Sequence, residues 1–281
     1  MVWSHPMRRF LKASIWIALV GFLSASVAEA HSLRVIVSST HGKPGAPVTA
    51  YLSWGHGLPV DELYNGSNLA RYELLAGTQV VESWKTEGLG LHEQSLKLKD
   101  EGIYQVRLAT KPMIFSTFRG ADNKNGFVRG GRDAVPQGAK DVKVIKSVTF
   151  AKALVTRGDI EDEAIPAVGD DFEIVPITKT EHGAFCMEAP ITFQVRLRGA
   201  PVAGVRVSAA HIGLNSDGNP ALTEQTDAQG LVKLKLDDLG TWVLEAYHEA
   251  PASAESQGRY DVESFSAALT LGVTEHDHHH H

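Results

Sequence analysis

A histidine at a free chain start offers two nitrogen donors in one residue, the α-amine and the ring Nδ1. Both are neutral or easily deprotonated near neutral pH, as metal binding requires. His31 would be such a residue, because Ala28-Glu29-Ala30 ahead of it has the small-x-small pattern of a leader cleavage site. Amine and ring together close a small chelate on Cu(II) or Ni(II), which favour nitrogen-rich tetragonal coordination. The plain alternative is a histidine on a frayed, solvated end. His56 follows a strand-like run in Trp54-Gly55-His56-Gly57, where the flanking glycines let the backbone bend and present the ring. His92 has a similar setting in Gly88-Leu89-Gly90-Leu91-His92, whereas His41 reads as part of an exposed turn before Gly42-Lys43-Pro44-Gly45.

The other histidines carry less. His211 and His248 each end an apolar run, the usual place of an edge histidine satisfied by a hydrogen bond. His182 stands beside Gly183 in a loop, and its spacing to Glu181 and Cys186 matches no metal motif. The chain finishes on His276, Asp277, His278, His279, His280 and His281. Such a tail binds divalent metals loosely and raises their local concentration. Because His276-Asp277 extends the pattern inward, it reads as native, with an expression tag as the alternative. No H-E-x-x-H, G-x-S-x-G or phosphate-binding loop is present, so the expectation is a protein that is not an enzyme. The acidic run Glu161-Asp162-Glu163 reads as a solvated face.

These residues need a scaffold and a compartment. Arg8, Arg9 and Lys12, then the apolar stretch Ala13 to Val27, complete the signal-peptide pattern. The apolar run is shorter than the roughly 20 residues of a spanning helix. The expectation is a periplasmic protein cleaved after Ala30, without a membrane anchor. Cys186, the single cysteine, excludes an internal disulfide. A net charge of −6 argues against nucleic-acid binding, which needs clustered Lys and Arg.

Past the leader the pattern is one of short strands and turns. Leu33, Val35 and Val37 alternate, as do Val48, Ala50, Leu52 and Trp54. Further strands are expected at 71–75, 79–84, 95–98 and 103–108, and residues 119–141 read as a long polar loop. The chain therefore divides into a signal peptide (1–30), an N-terminal β-sandwich (31–156), a linker (157–171), a C-terminal β-sandwich (172–273) and a His-rich tail (274–281). The fold class is all-β, two sandwiches of immunoglobulin-like or transthyretin-like type.

In the second half, Gly199-Ala200-Pro201-Val202-Ala203-Gly204-Val205, Thr226-Asp227-Ala228-Gln229-Gly230 and Gly240-Thr241-Trp242 resemble the transthyretin-like sandwiches of secreted proteins. With the start at His31, the segment Tyr51 to Val60, Phe172-Glu173-Ile174-Val175-Pro176, and the endings Gly240 to His248 and Glu263 to Leu271, the chain is similar to a periplasmic domain-of-unknown-function family often labelled as nickel uptake components. That resemblance implies two β-sandwiches and a role beside a membrane nickel or cobalt importer. It adds His248 to His31, His56 and His92 as a metal ligand, with nickel as the metal and cobalt, copper or zinc as alternatives. The label's transmembrane helix has no counterpart at this C-terminus. The competing expectation is a non-metal interaction module for a protein or glycan, in which the histidines are incidental.

Overall fold

In the computed structural model the described residues are 31–187 and 189–275, so the leader, the tail histidines and their readings lie outside them. The described residues are strands, turns and three single-turn 3-10 helices. Among them no helix is long and apolar enough to cross a membrane. The all-β sandwich expected from the alternation is the fold observed.

The organising element is one long strand, Lys140–Arg157. On one side it pairs antiparallel with Gly102–Thr110, and on the other it pairs parallel with Val262–Thr274. Its side chains alternate between two cores, as a period of two demands. Ala151, Ala153 and Val155 enter one core, and Phe150 and Leu154 enter the other. The strand thus sits at the centre of an eleven-stranded sheet covered on both faces.

One face is covered by a three-stranded sheet of Ser32–Val37, Val48–Gly55 and Gln94–Leu96. Leu33, Val35, Val37, Val48, Ala50 and Leu52 fill the space between, as their alternation predicts. The other face is covered by Phe172–Pro176, Ile191–Leu197, Ala200–Pro201 and Leu231–Leu234, over a core that includes Phe172, Phe193 and Trp242. Ser32–Val37 has a second buried side as well. Ile36 packs there with Leu58, Ala210 and Val243.

Residues 157–171 are partly packed, with Ile160 and Ile165 in the same core as Phe172 and Trp242. Ile160, Ile165 and Val168 punctuate the acidic run and are buried. Gln105 Nε2 donates to the Pro166 carbonyl at 2.9 Å, and Arg107 Nη1 donates to that of Val168 at 2.6 Å. Just beyond, Lys152 and Glu173 form an ion pair at 2.9 Å with both side chains almost fully enclosed. Asp170 meets Arg71 and Arg107, while burial pushes its carboxyl above the usual range against their attraction.

Residues 119–141 correct the expectation of a loop. Met113–Arg119 and Asn125–Arg129 form a β-hairpin that pairs with the first part of Lys140–Arg157. The polar residues from Gly120 to Asn125 hid the second strand, whose residues are exposed or half-buried and need little hydrophobic patterning.

Candidate metal site

The pairing of the first two strands builds the site. Ser32 lies opposite Gly55 and Leu33 opposite Trp54, so the next positions out are His31 and His56. Their rings meet with centroids 4.4 Å apart. His31 also stacks on Trp54 at 5.2 Å, and Trp54 leans on Tyr64 at 5.2 Å. The aromatic rings form one wall of the cluster and limit where the imidazole of His31 can lie.

Glu62 closes the other side. Its backbone N–H donates to the Trp54 carbonyl at 2.9 Å, which fixes its place beside the strand end. His31 Nε2 stands 2.9 Å from Glu62 Oε1. A carboxylate only accepts, so Nε2 carries a hydrogen, and in the neutral ring Nδ1 is the nitrogen with the free lone pair.

The loop between His56 and Glu62 is held at several points. Asp61 Oδ2 accepts the backbone N–H of His56 at 2.9 Å and of Gly57 at 3.1 Å. These two bonds, Gly57 first, hold the exposed Asp61 carboxyl below its usual range, and the charges of His56 and His31 add to the effect. Gly55 has φ of +118°, and a Cβ there would meet the Asp61 side chain at 2.5 Å, so only glycine serves. Beneath the loop, the buried Arg34 donates to the carbonyls of Gly55 at 3.2 Å and Gly57 at 3.4 Å. Its Nε bonds Glu245 at 2.7 Å, tying the loop to the large sheet. The Leu58 N–H reaches the Ser216 carbonyl at 3.0 Å.

Of the four expected ligands, His31 and His56 stand together. His92 is placed otherwise: at φ +49° its Nε2 bonds the Tyr64 carbonyl at 2.9 Å and its ring fills the space above Gly66. It props the strand that carries Tyr64. His248 stacks on Phe172 at 6.0 Å, half-buried, and desolvation lowers its pKa. Among the described residues no hydrogen bond or ring contact joins His92 or His248 to the first pair.

Sequence reasoning missed Asp61 and Glu62, whose only signal was two adjacent acids just after a histidine loop. It also set aside His182 and the acidic run. The structure brings Asp159, Glu161 and His182 within 4.8 Å of one another, all exposed. His182 Nδ1 is 2.7 Å from Asp159 and 3.4 Å from Glu161. The hydrogen bond that His182 donates to the Asp159 carboxylate, then the charge of Asp159, raises the His182 pKa. Such a trio is explained as an exposed ion-pair cluster.

Two exposed histidines in ring contact, with Glu62 against one of them and Asp61 nearby, bring together nitrogen and oxygen donor types. Among the described residues, however, the donor atoms already gathered within 4.8 Å are those of Asp159, Glu161 and His182. The family model described as Domain of unknown function (DUF4198) matches residues 28–250. No curated protein matches the chain. Among solved structures, the D0-D1 domain of Intimin is 16% identical with TM-score 0.22, covering 86% of this chain and 100% of that one. Three N-terminal domains of the bacteriophage RB49 Highly Immunogenic Outer Capsid protein (Hoc) are 11% identical with TM-score 0.20, covering 88% and 71%. Neither likeness carries weight for the site.

Proposed function

This chain belongs to the DUF4198 family, and we propose that it is an exported binding protein whose cargo is a divalent transition metal, held at His31 and His56. One observation carries the reading: the His31 ring lies against that of His56, with its Nε2 engaged by Glu62. Ligating histidines characteristically donate their second ring N–H to a carboxylate, which fixes the tautomer and raises the basicity of the ligating nitrogen. Here the engaged nitrogen is Nε2. That leaves Nδ1, the one nitrogen able to chelate together with an α-amine on the same residue.

Cleavage after Ala30 would create that amine. Three nitrogens would then face the metal, two from His31 and one from His56, with Asp61 and Glu62 supplying negative charge nearby. Such a donor set favours Ni(II) or Cu(II) over harder cations, and nickel is the cargo that the sequence resemblance implies. The exposed position suits capture and release to a membrane importer. The tail histidines would concentrate metal, and the protein itself would perform no chemistry on it.

The test is a competition titration of the cleaved protein, lacking residues 276–281, with Ni(II), Co(II), Cu(II) and Zn(II). One equivalent of Ni(II) or Cu(II) should bind, and His31→Ala, His56→Ala or retention of the leader should each weaken it. Unchanged affinity with an acetyl cap on His31 would sink the chelate.

A further inference from the structure

The hairpin of Met113–Arg119 and Asn125–Arg129 carries a surface that the metal site does not use. Asn125–Arg129 pairs on one side only, with Met113–Arg119. The Gly130 N–H donates to the Ile114 carbonyl at 2.9 Å, so Gly130 faces inward. Alternate residues of a strand point their backbone groups to opposite sides. Val128 and Gly126 therefore face inward too, and the N–H and C=O groups of Asn125, Phe127 and Arg129 face out along an open edge. Gly126 permits this tight pairing, since a Cβ there would meet the Phe118 ring at 2.3 Å.

The edge has a particular chemistry. Phe127 is 57% exposed and packs only partly on Phe115, centroid to centroid 5.1 Å. Residues 111–143 hold seven lysines and arginines against three aspartates, in a chain whose net charge is −6. Two of those aspartates are engaged, Asp122 with Lys124 and Asp141 with Arg119, while Arg132 and Lys143 pair with Asp261 and Glu249 from outside the segment. Arg129 forms no ion pair among the described residues. Open strand edges are hazards that proteins usually blunt with charge, and here the strand's charged residue is the cation Arg129. A second copy of this edge would bring only another Arg129, whereas an acidic strand would bring that guanidinium a counter-charge.

We propose that Asn125–Arg129 is a docking edge for an extended, acidic segment of a partner protein, which adds to the ribbon as a further strand. The backbone groups of Asn125, Phe127 and Arg129 supply the ladder, and the Phe127 ring receives an apolar side chain of the incoming strand. Arg129, two residues on and therefore on the same face, selects an acidic residue two positions from the apolar one. This mode takes its affinity from main-chain bonds and its specificity from side chains. The open edge favours a polypeptide over a glycan, because a sugar chain has no use for a row of strand hydrogen-bonding groups. The proposal does not depend on the metal site.

The probe is a short synthetic peptide with one glutamate and one valine two residues apart and threonine at the other positions, titrated into the isotope-labelled cleaved protein and followed by amide chemical shifts. The largest shifts should fall on Asn125, Phe127 and Arg129, with slowed hydrogen exchange at those amides. Phe127→Ala and Arg129→Glu should each weaken binding by about tenfold or more, with circular dichroism unchanged. Arg129→Glu should also improve binding of the matching lysine–valine peptide. The proposal is overturned if the glutamate–valine peptide leaves these amides unmoved, or if the wild-type edge binds the lysine–valine peptide equally well. It is likewise overturned if heparin shifts these amides and the peptide does not, or if sedimentation shows copies of the chain joined through this edge.

Discussion

His31 Nε2 lies 2.9 Å from Glu62 Oε1, and the two residues are 31 positions apart in the chain. This contact dictates which ring nitrogen of His31 remains available, so Glu62 should matter to metal affinity without itself being a ligand. Glu62→Ala is expected to weaken Ni(II) or Cu(II) binding about 10–100-fold, the usual cost of losing such a partner. Glu62→Gln should recover part of the loss, since its side-chain oxygen still accepts from Nε2. Competition titrations measure both.

Trp54 reports on the same cluster. His31 stacks on it at 5.2 Å with planes 19° apart, so a paramagnetic ion at His31 will quench its emission. Trp242 is buried in the far core and Trp84 packs on Tyr72, so both should respond little. Cu(II) is therefore expected to quench part of the tryptophan fluorescence in the cleaved protein, an effect that Trp54→Phe removes while binding persists. If quenching survives that substitution, the ion sits elsewhere.

Two side chains make opposite pH signatures. The folded Asp61 carboxyl lies below its unfolded value of about 3.9, so its stabilisation is present above that pH and is lost as pH falls through the lower folded value. Asp61→Asn should therefore lower the melting temperature at neutral pH, with the difference closing in strong acid. The His182 pKa is raised, so its contribution is complete below about pH 6.5 and fades as pH climbs through the folded value. His182→Asn should cost stability at mildly acidic pH and nothing in alkali. Melting curves across the pH range separate the two.

The pair Lys152 and Glu173 joins the central strand to Phe172–Pro176, a strand of the sheet that covers one of its faces. Lys152→Met leaves a buried carboxylate without its counter-ion, and the expected cost is about 3–5 kcal/mol. Glu173 also accepts the backbone N–H of Val168 at 3.1 Å and of Gly169 at 3.3 Å. The double change of Lys152→Met with Glu173→Leu should thus restore only part of the stability, because those donors lose their acceptor. Denaturant unfolding gives the figures.

Sequence by itself determined the all-β class and most strand positions. Alternation alone marked Leu33, Val35 and Val37, and Ile191 to Leu197 is a strand with the bounds expected. It failed on Asn125–Arg129, inside the segment expected to be a loop, where no residue is fully buried and the alternating signal is weak. It also marked His31 and His56 as separate candidates. What it lacked was register: alternation fixes only which face a residue takes, and a slip of two residues preserves every face. The connection between Val37 and Val48, closed over a shared core, decides that Ser32 meets Gly55, and hence that the two histidines touch. The same limit hid Glu62, and placed His92 and His248 as packing residues, since hydrogen-bond partners such as the Tyr64 carbonyl come from strands remote in sequence. Residue type therefore told what each histidine can do, and only the folded neighbours decided which of them stand where they can do it together.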